Sequence, residues 1–135
     1  MHELGLRNFF DGGADANELR EDLVDSIEST EGVRRYRIVD MAEPFQITTT
    51  HLIQLCDAVL ANSIMAADLQ AIGFCIVASD KFEWAYNTPE GDIIAETVHD
   101  WSSPETNYPL TETTVRLFRE RFVTGEDVLK KRLLS

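Results

Sequence analysis

Positive charge, histidine and cysteine are all scarce in this chain of 135 residues. Twelve lysines and arginines stand against 24 acids, giving a formal charge of −12, with three histidines and two cysteines. Two cysteines cannot form the framework of a small disulfide-stapled domain, and no Cys-x-x-Cys motif occurs. Cys56 and Cys75 both lie in apolar segments and are expected as reduced, buried small hydrophobes. Four prolines and seven glycines without a repeat exclude collagen-like and low-complexity classes. The longest apolar stretch, Ala71 to Ala78, is far short of the ~20 residues that cross a bilayer. The start, Met1-His2-Glu3-Leu4, lacks the basic and apolar parts of a secretory signal, and no Asn-x-Ser/Thr acceptor occurs. A cytoplasmic location is the expectation.

What is present suits folding. Hydrophobic residues make up 44% of the chain, too many for a disordered segment despite the charge. The length fits one domain, residues 1–135, that buries about two-thirds of its unfolded surface.

The charge is unevenly distributed. Residues 1–32 carry a net −7, Arg34, Arg35 and Arg37 add +3, and residues 38–115 carry −11 with Lys81 as their single base. Residues 116–135 return +3 through Arg116, Arg119, Arg121, Lys130, Lys131 and Arg132. Nucleic-acid binding through the main body is excluded, because phosphates must be met by lysine and arginine. The basic end is read first as neutralising the acidic body, with an Arg116–Glu120 pair at i,i+4. It is also the one place where an anionic partner has room to dock.

Periodicity predicts a mainly α fold, a compact bundle of about five or six helices with one small β-hairpin. Leu4, Leu6, Phe9 and Phe10 suggest a short helix stopped by Gly12-Gly13. Asn17 to Ser29 follows with Leu19, Leu23, Val24 and Ile27 on one face and Asp15 as cap. Val33 to Val39 alternates like a strand, and Glu43-Pro44 marks a turn through which it pairs with Phe45 to Thr48. From Thr50, Leu52, Ile53, Cys56, Val59 and Leu60 form an apolar stripe. Ala66 to Ser79 reads as a central helix, apolar nearly all round, against an alternative α+β reading with a buried strand at 73–78. Thr88-Pro89 starts a helix to Trp101 with Ile94, Val98 and Trp101 inward. Thr111 caps another with Val115, Phe118 and Phe122 inward and Gly125 as its stop. Val128, Leu129 and Leu133 suggest a last short helix. A shift of 50 residues superposes Phe10 on Leu60, Leu19 on Leu69 and Ile27 on Val77, a weak sign of a helical repeat.

No motif assigns an activity, and no cofactor is implied. His99-Asp100, with His51 before it and Asp127 after it, resembles the outline of HD-type metal phosphohydrolases. That resemblance covers one dipeptide and two loosely placed residues; it implies a divalent metal lowering the pKa of bound water. The acidic setting opposes a phosphate substrate, and His99 reads equally as a helix-surface residue. Cys56 lacks the electropositive surroundings of a thiolate nucleophile. No Gly-x-Ser-x-Gly elbow and no Gly-Lys-Ser/Thr phosphate loop occur.

The remaining candidates are Trp84, Tyr86, Trp101, Glu105, Asn107 and Tyr108, aromatics flanked by acids, together with the loop Ser103–Pro109. Such residues fill a core, anchor a protein interface, or cradle a cation or sugar. The functional expectation is a protein–protein interaction or regulatory module, monomeric or homodimeric, with no membrane association. The alternatives are a metal-dependent hydrolase using His51, His99, Asp100 and Asp127, and an acidic mimic of nucleic acid that binds a basic protein.

Overall fold

The computed structural model describes residues 1–30, 33–36, 41–126 and 128–129. Its first helix, α1 (Glu3–Phe10), ends where Gly12 takes a left-handed φ of 81°. Asp15 accepts the Glu18 amide at 2.9 Å and opens α2 (Ala16–Ser26), as its position predicts. Leu6, Phe10, Leu19 and Leu23 face inward from this pair.

The strands differ from the expected hairpin. The segment Ile27–Thr30 (β1), expected as the end of the second helix, pairs antiparallel with Val33–Tyr36 (β2), in the register Ile27 to Tyr36. Only two residues separate these strands, one of them Gly32, and so short a closure outcompetes pairing across the next eight residues. The expected partner, Phe45–Gln46 (β3), pairs in parallel with Phe82–Glu83 (β4) instead. Phe45 N donates to Lys81 O at 2.8 Å and Ile47 N to Glu83 O at 2.7 Å. The association is anchored by side chains: Phe10, Phe45 and Phe82 lie 6.0–6.4 Å apart between centroids, with the His51 ring 5.0 Å from Phe10. The part of the predicted strand beyond Tyr36, residues 37–39, lies outside the described residues.

Between these strands run α3 (Thr49–Leu60) and α4 (Asp68–Ala78). The helical reading of 73–78 holds and the buried-strand alternative does not, because the apolar run continues the i, i+3, i+7 spacing of Leu69, Ile72 and Ile76. Next, α5 (Pro89–Ser102) starts under Thr88, whose hydroxyl accepts the Gly91 amide at 2.9 Å. The last, α6 (Glu112–Thr124), is capped by Thr111 and stopped by Gly125 at φ 77°. Val128 and Leu129 are helical and buried; the remainder of the expected last helix lies outside the described residues.

The 50-residue similarity is not a packing repeat. α1 packs on α2, but α4 lies chiefly against α5 and α3 against α6. Gly73 sets the α4–α5 approach: a Cβ there would sit 2.8 Å from Trp101 Cβ and 2.9 Å from Val98 O. One hydrophobic cluster runs from Leu6 through Leu55 and Ile72 to Trp101 and Phe118. The fold is mainly α with a small β component, and no helix among the described residues is long and apolar enough to cross a membrane.

Candidate functional site

The predicted aromatic set divides between core and surface. Trp101 is fully buried, edge-on to Phe118 at 6.0 Å and Phe122 at 6.1 Å, because it falls on the inner stripe of α5. Tyr108 is half-buried with its ring edge-on to Phe118 at 6.2 Å. Trp84 is half-buried against the core, with Tyr86 6.5 Å away at a 41° tilt. Tyr86 is the exception, 79% exposed.

The turn carrying Tyr86 is fixed from both ends. Ser79 Oγ accepts the amides of Lys81 and Phe82 at 2.9 and 3.1 Å, setting the entry to β4. On the exit side Thr88 Oγ1 donates to Ala85 O at 2.8 Å while capping α5. Asn87 takes a left-handed φ of 59°, which asparagine tolerates. Gly91 presses on the Ala85 carbonyl so closely that any Cβ would overlap it. Tyr86 therefore stands on a rigid knuckle between β4 and α5, and Asp80, Glu83 and Glu90 nearby in the chain are all exposed.

The loop after α5 is equally ordered. Ser103 O accepts the amides of Thr106 and Asn107 at 3.2 Å each, and also Thr106 Oγ1 and Asn107 Nδ2. Thr114 Oγ1 ties its far end by donating to Pro109 O at 2.7 Å. Asn107, a predicted binding residue, thus holds the loop's shape. Glu105 lies exposed beside a groove of about 330 Å³ whose apolar wall is Ala67, Pro104, Pro109 and Leu110.

The His–Asp residues serve structural contacts. His51 Nδ1 accepts the Thr48 amide at 3.0 Å, satisfying a donor at the start of α3. Burial lowers its pKa, against the opposing pull of Asp11 and Glu90. His99 is exposed on α5 and its carbonyl accepts Ser102 Oγ at 2.8 Å. Asp100 Oδ2 instead meets Arg121 Nη1 at 3.1 Å, and Arg121 also donates to Thr97 Oγ1 at 3.1 Å. This buried triad joins α5 to α6, with the guanidinium 5.6 Å from the Phe118 centroid. Asp127 lies outside the described residues, and among the described residues no three His, Cys, Asp or Glu side chains converge to hold a metal. Burial first, then the neighbouring Asp57, push the Cys56 thiol up to about 12, so it stays protonated at neutral pH.

The arginines of α6 are engaged within the molecule. Arg119 Nε donates to Asp57 on α3 at 2.6 Å, and Arg116 pairs with Glu112 at 2.6 Å, one turn before it. Lys130, Lys131 and Arg132 lie outside the described residues. Sequence reasoning missed Arg20, which lines a separate cavity with no motif around it to mark the site. Comparison of the chain with protein-family models, with curated proteins and with solved structures finds no match.

Proposed function

We propose that this protein is an interaction module that docks a basic partner protein, with Tyr86 as its anchor and Trp84 as the anchor's support. The observation carrying this reading is a tyrosine 79% exposed on a turn fixed by hydrogen bonds at both ends. A large aromatic held rigid before binding loses little conformational freedom on docking, and tyrosine and tryptophan are enriched among the residues that dominate interfaces. Asp80, Glu83 and Glu90 give the surroundings one sign of charge, and Lys81 is the only base from residue 38 to 115. Charge of one sign repels acidic partners and draws basic ones. Two free, buried thiols accord with a cytoplasmic setting. The acidic-mimic reading is a special case in which the partner itself handles nucleic acid.

Affinity capture with the full chain tests the proposal. The expected result is a basic protein retained at low salt, lost in Tyr86→Ala and weakened in the Glu83→Gln/Glu90→Gln pair. Equal retention by all three proteins, or retention indifferent to salt, would overturn it. Competition by duplex DNA for the captured partner separates the mimic from the general case.

A further inference from the structure

A second cavity, of about 360 Å³, opens between α2, the α3–α4 connection and the first turn of α6. Its polar lining is Arg20, Asn62 and Glu112, and its apolar lining includes Val59, Ile64 and Met65. We infer that it binds a small monocarboxylate with an aliphatic tail, the carboxylate held by Arg20.

The argument starts from the state of Arg20. Arg7, Arg116, Arg119 and Arg121 each have a carboxylate within 4.0 Å, whereas among the described residues Arg20 has none. The sequence of α2 explains this: positions three and four residues away are Ala16, Asn17, Leu23 and Val24, none of them acidic. In a chain with twice as many acids as bases, an arginine without an acid at a cavity wall is an outlier. A guanidinium presents a planar fork of donors that matches a carboxylate, and it remains charged at every accessible pH.

The rest of the wall sets the ligand's body and charge. Val59 and Ile64 are buried and fixed, because the connection between the helices is closed by its own hydrogen bonds. Asn62 N donates to Val59 O at 2.9 Å, Ser63 N to Ala58 O at 2.9 Å, and Met65 N to Asp68 Oδ2 at 2.8 Å. Asn62 takes a left-handed φ of 62°, which turns the chain back over the end of α3. Met65 is 64% exposed, a flexible thioether able to close over an aliphatic tail. Glu112 adds negative charge to the wall, partly balanced by Arg116, and so disfavours a dianion. The volume lies at the small end of ligand pockets, roughly 300–1,000 Å³.

The test is an amide-resonance titration of the full chain with 4-methylpentanoate, 4-methylpentan-1-ol and glutarate. Methylpentanoate is expected to shift residues 20, 59 and 62–66 with a dissociation constant in the millimolar range or tighter, the scale for a ligand of about eight heavy atoms. The alcohol and the dianion are expected to bind about tenfold more weakly or worse, as is the Arg20→Gln variant, with Arg20→Lys intermediate. Ala66→Leu, which narrows the same cavity without touching the charge, is expected to abolish binding of all three. No shift at these amides, or equal affinity in wild type and Arg20→Gln, overturns the inference. A shift of equal strength with the alcohol leaves a cavity that reads shape alone, and overturns the carboxylate assignment.

Discussion

Replacing Asp100 by alanine tests the α5–α6 junction most severely. Arg121 is 1% exposed and Asp100 8%, so the charge left behind has no direct route to water. The lost contact is the 3.1 Å ion pair, and the Thr97 hydroxyl at 3.1 Å is a dipole that cannot replace a carboxylate. Removing one partner of a buried pair costs about 3–5 kcal/mol, chiefly because the other charge stays desolvated. Against a total stability of roughly 5–15 kcal/mol this is a third or more of the whole. For a chain of this size it corresponds to a fall in Tm of about 10 °C or more. Urea unfolding followed by far-ultraviolet circular dichroism measures it directly. The double variant Asp100→Leu/Arg121→Met removes both charges and is expected to lose much less than Asp100→Ala alone, since apolar replacement of both partners is often neutral. A loss below about 1 kcal/mol in Asp100→Ala would refute the reasoning, because Arg121 would then be reaching water or another acid. The same variant separates ion pair from metal ligand: on the ion-pair reading the wild-type stability is unchanged by EDTA, whereas a ligand role would make it fall.

Two further predictions rest on single atoms. His51 Nδ1 must be unprotonated to accept the Thr48 amide, and burial lowers its pKa below the ordinary 6.5. The unfolded chain therefore binds the proton more readily, so this contribution is complete above about pH 6.5 and is lost as pH falls through the lowered native value. The urea midpoint is expected to drop more between pH 7.5 and 5.5 in wild type than in His51→Gln; equal drops would remove the assignment. Gly73→Ala is expected to destabilise by about 1–3 kcal/mol, because a Cβ would sit 2.8 Å from Trp101 Cβ. Helix propensity alone predicts the opposite sign, a gain of up to ~1 kcal/mol, and a gain would show that α4 and α5 can move apart.

Local signals were legible in the sequence and long-range choices were not. Asp15, Thr88, Thr111 and Gly125 act where they were expected, because a cap or stop is decided within one turn of the chain. The apolar stripes of α5 and α6 bury the residues that periodicity selected. Strand pairing failed at the partner: Phe45 had to be matched with Phe82, 37 positions away, and no local rule makes that selection. The candidate site behaved in the same way. Tyr86 followed from an alternating aromatic segment, but whether Trp101 and Tyr108 join it depends on which helix face meets Phe118. Arg121 looked like one charge in a basic run, and its burial depends on Asp100, 21 residues earlier.

The internal use of arginine also changes what the charge of −12 implies for binding. Read along the chain, the basic end offers a second surface of opposite sign. In the fold, Arg121 lies in the core and Arg119 is tied to Asp57 across α3 and α6. An exposed pair such as Arg119–Asp57 adds little stability, and its main consequence is to cancel both charges in the outer field. Arg116, paired with Glu112 on its own helix, contributes as little to that field. The described exterior is therefore closer to one sign than the sequence total suggests, while Asp80, Glu83 and Glu90 remain exposed around Tyr86. Exposed charges act over about 10 Å at 0.1 M salt, so several on one side sum into a field that a single ion pair does not produce. Within that field an uncompensated arginine is conspicuous for the same reason that a bound anion beside it is credible: Arg20 is the place where the described surface reverses sign without an acid to answer it.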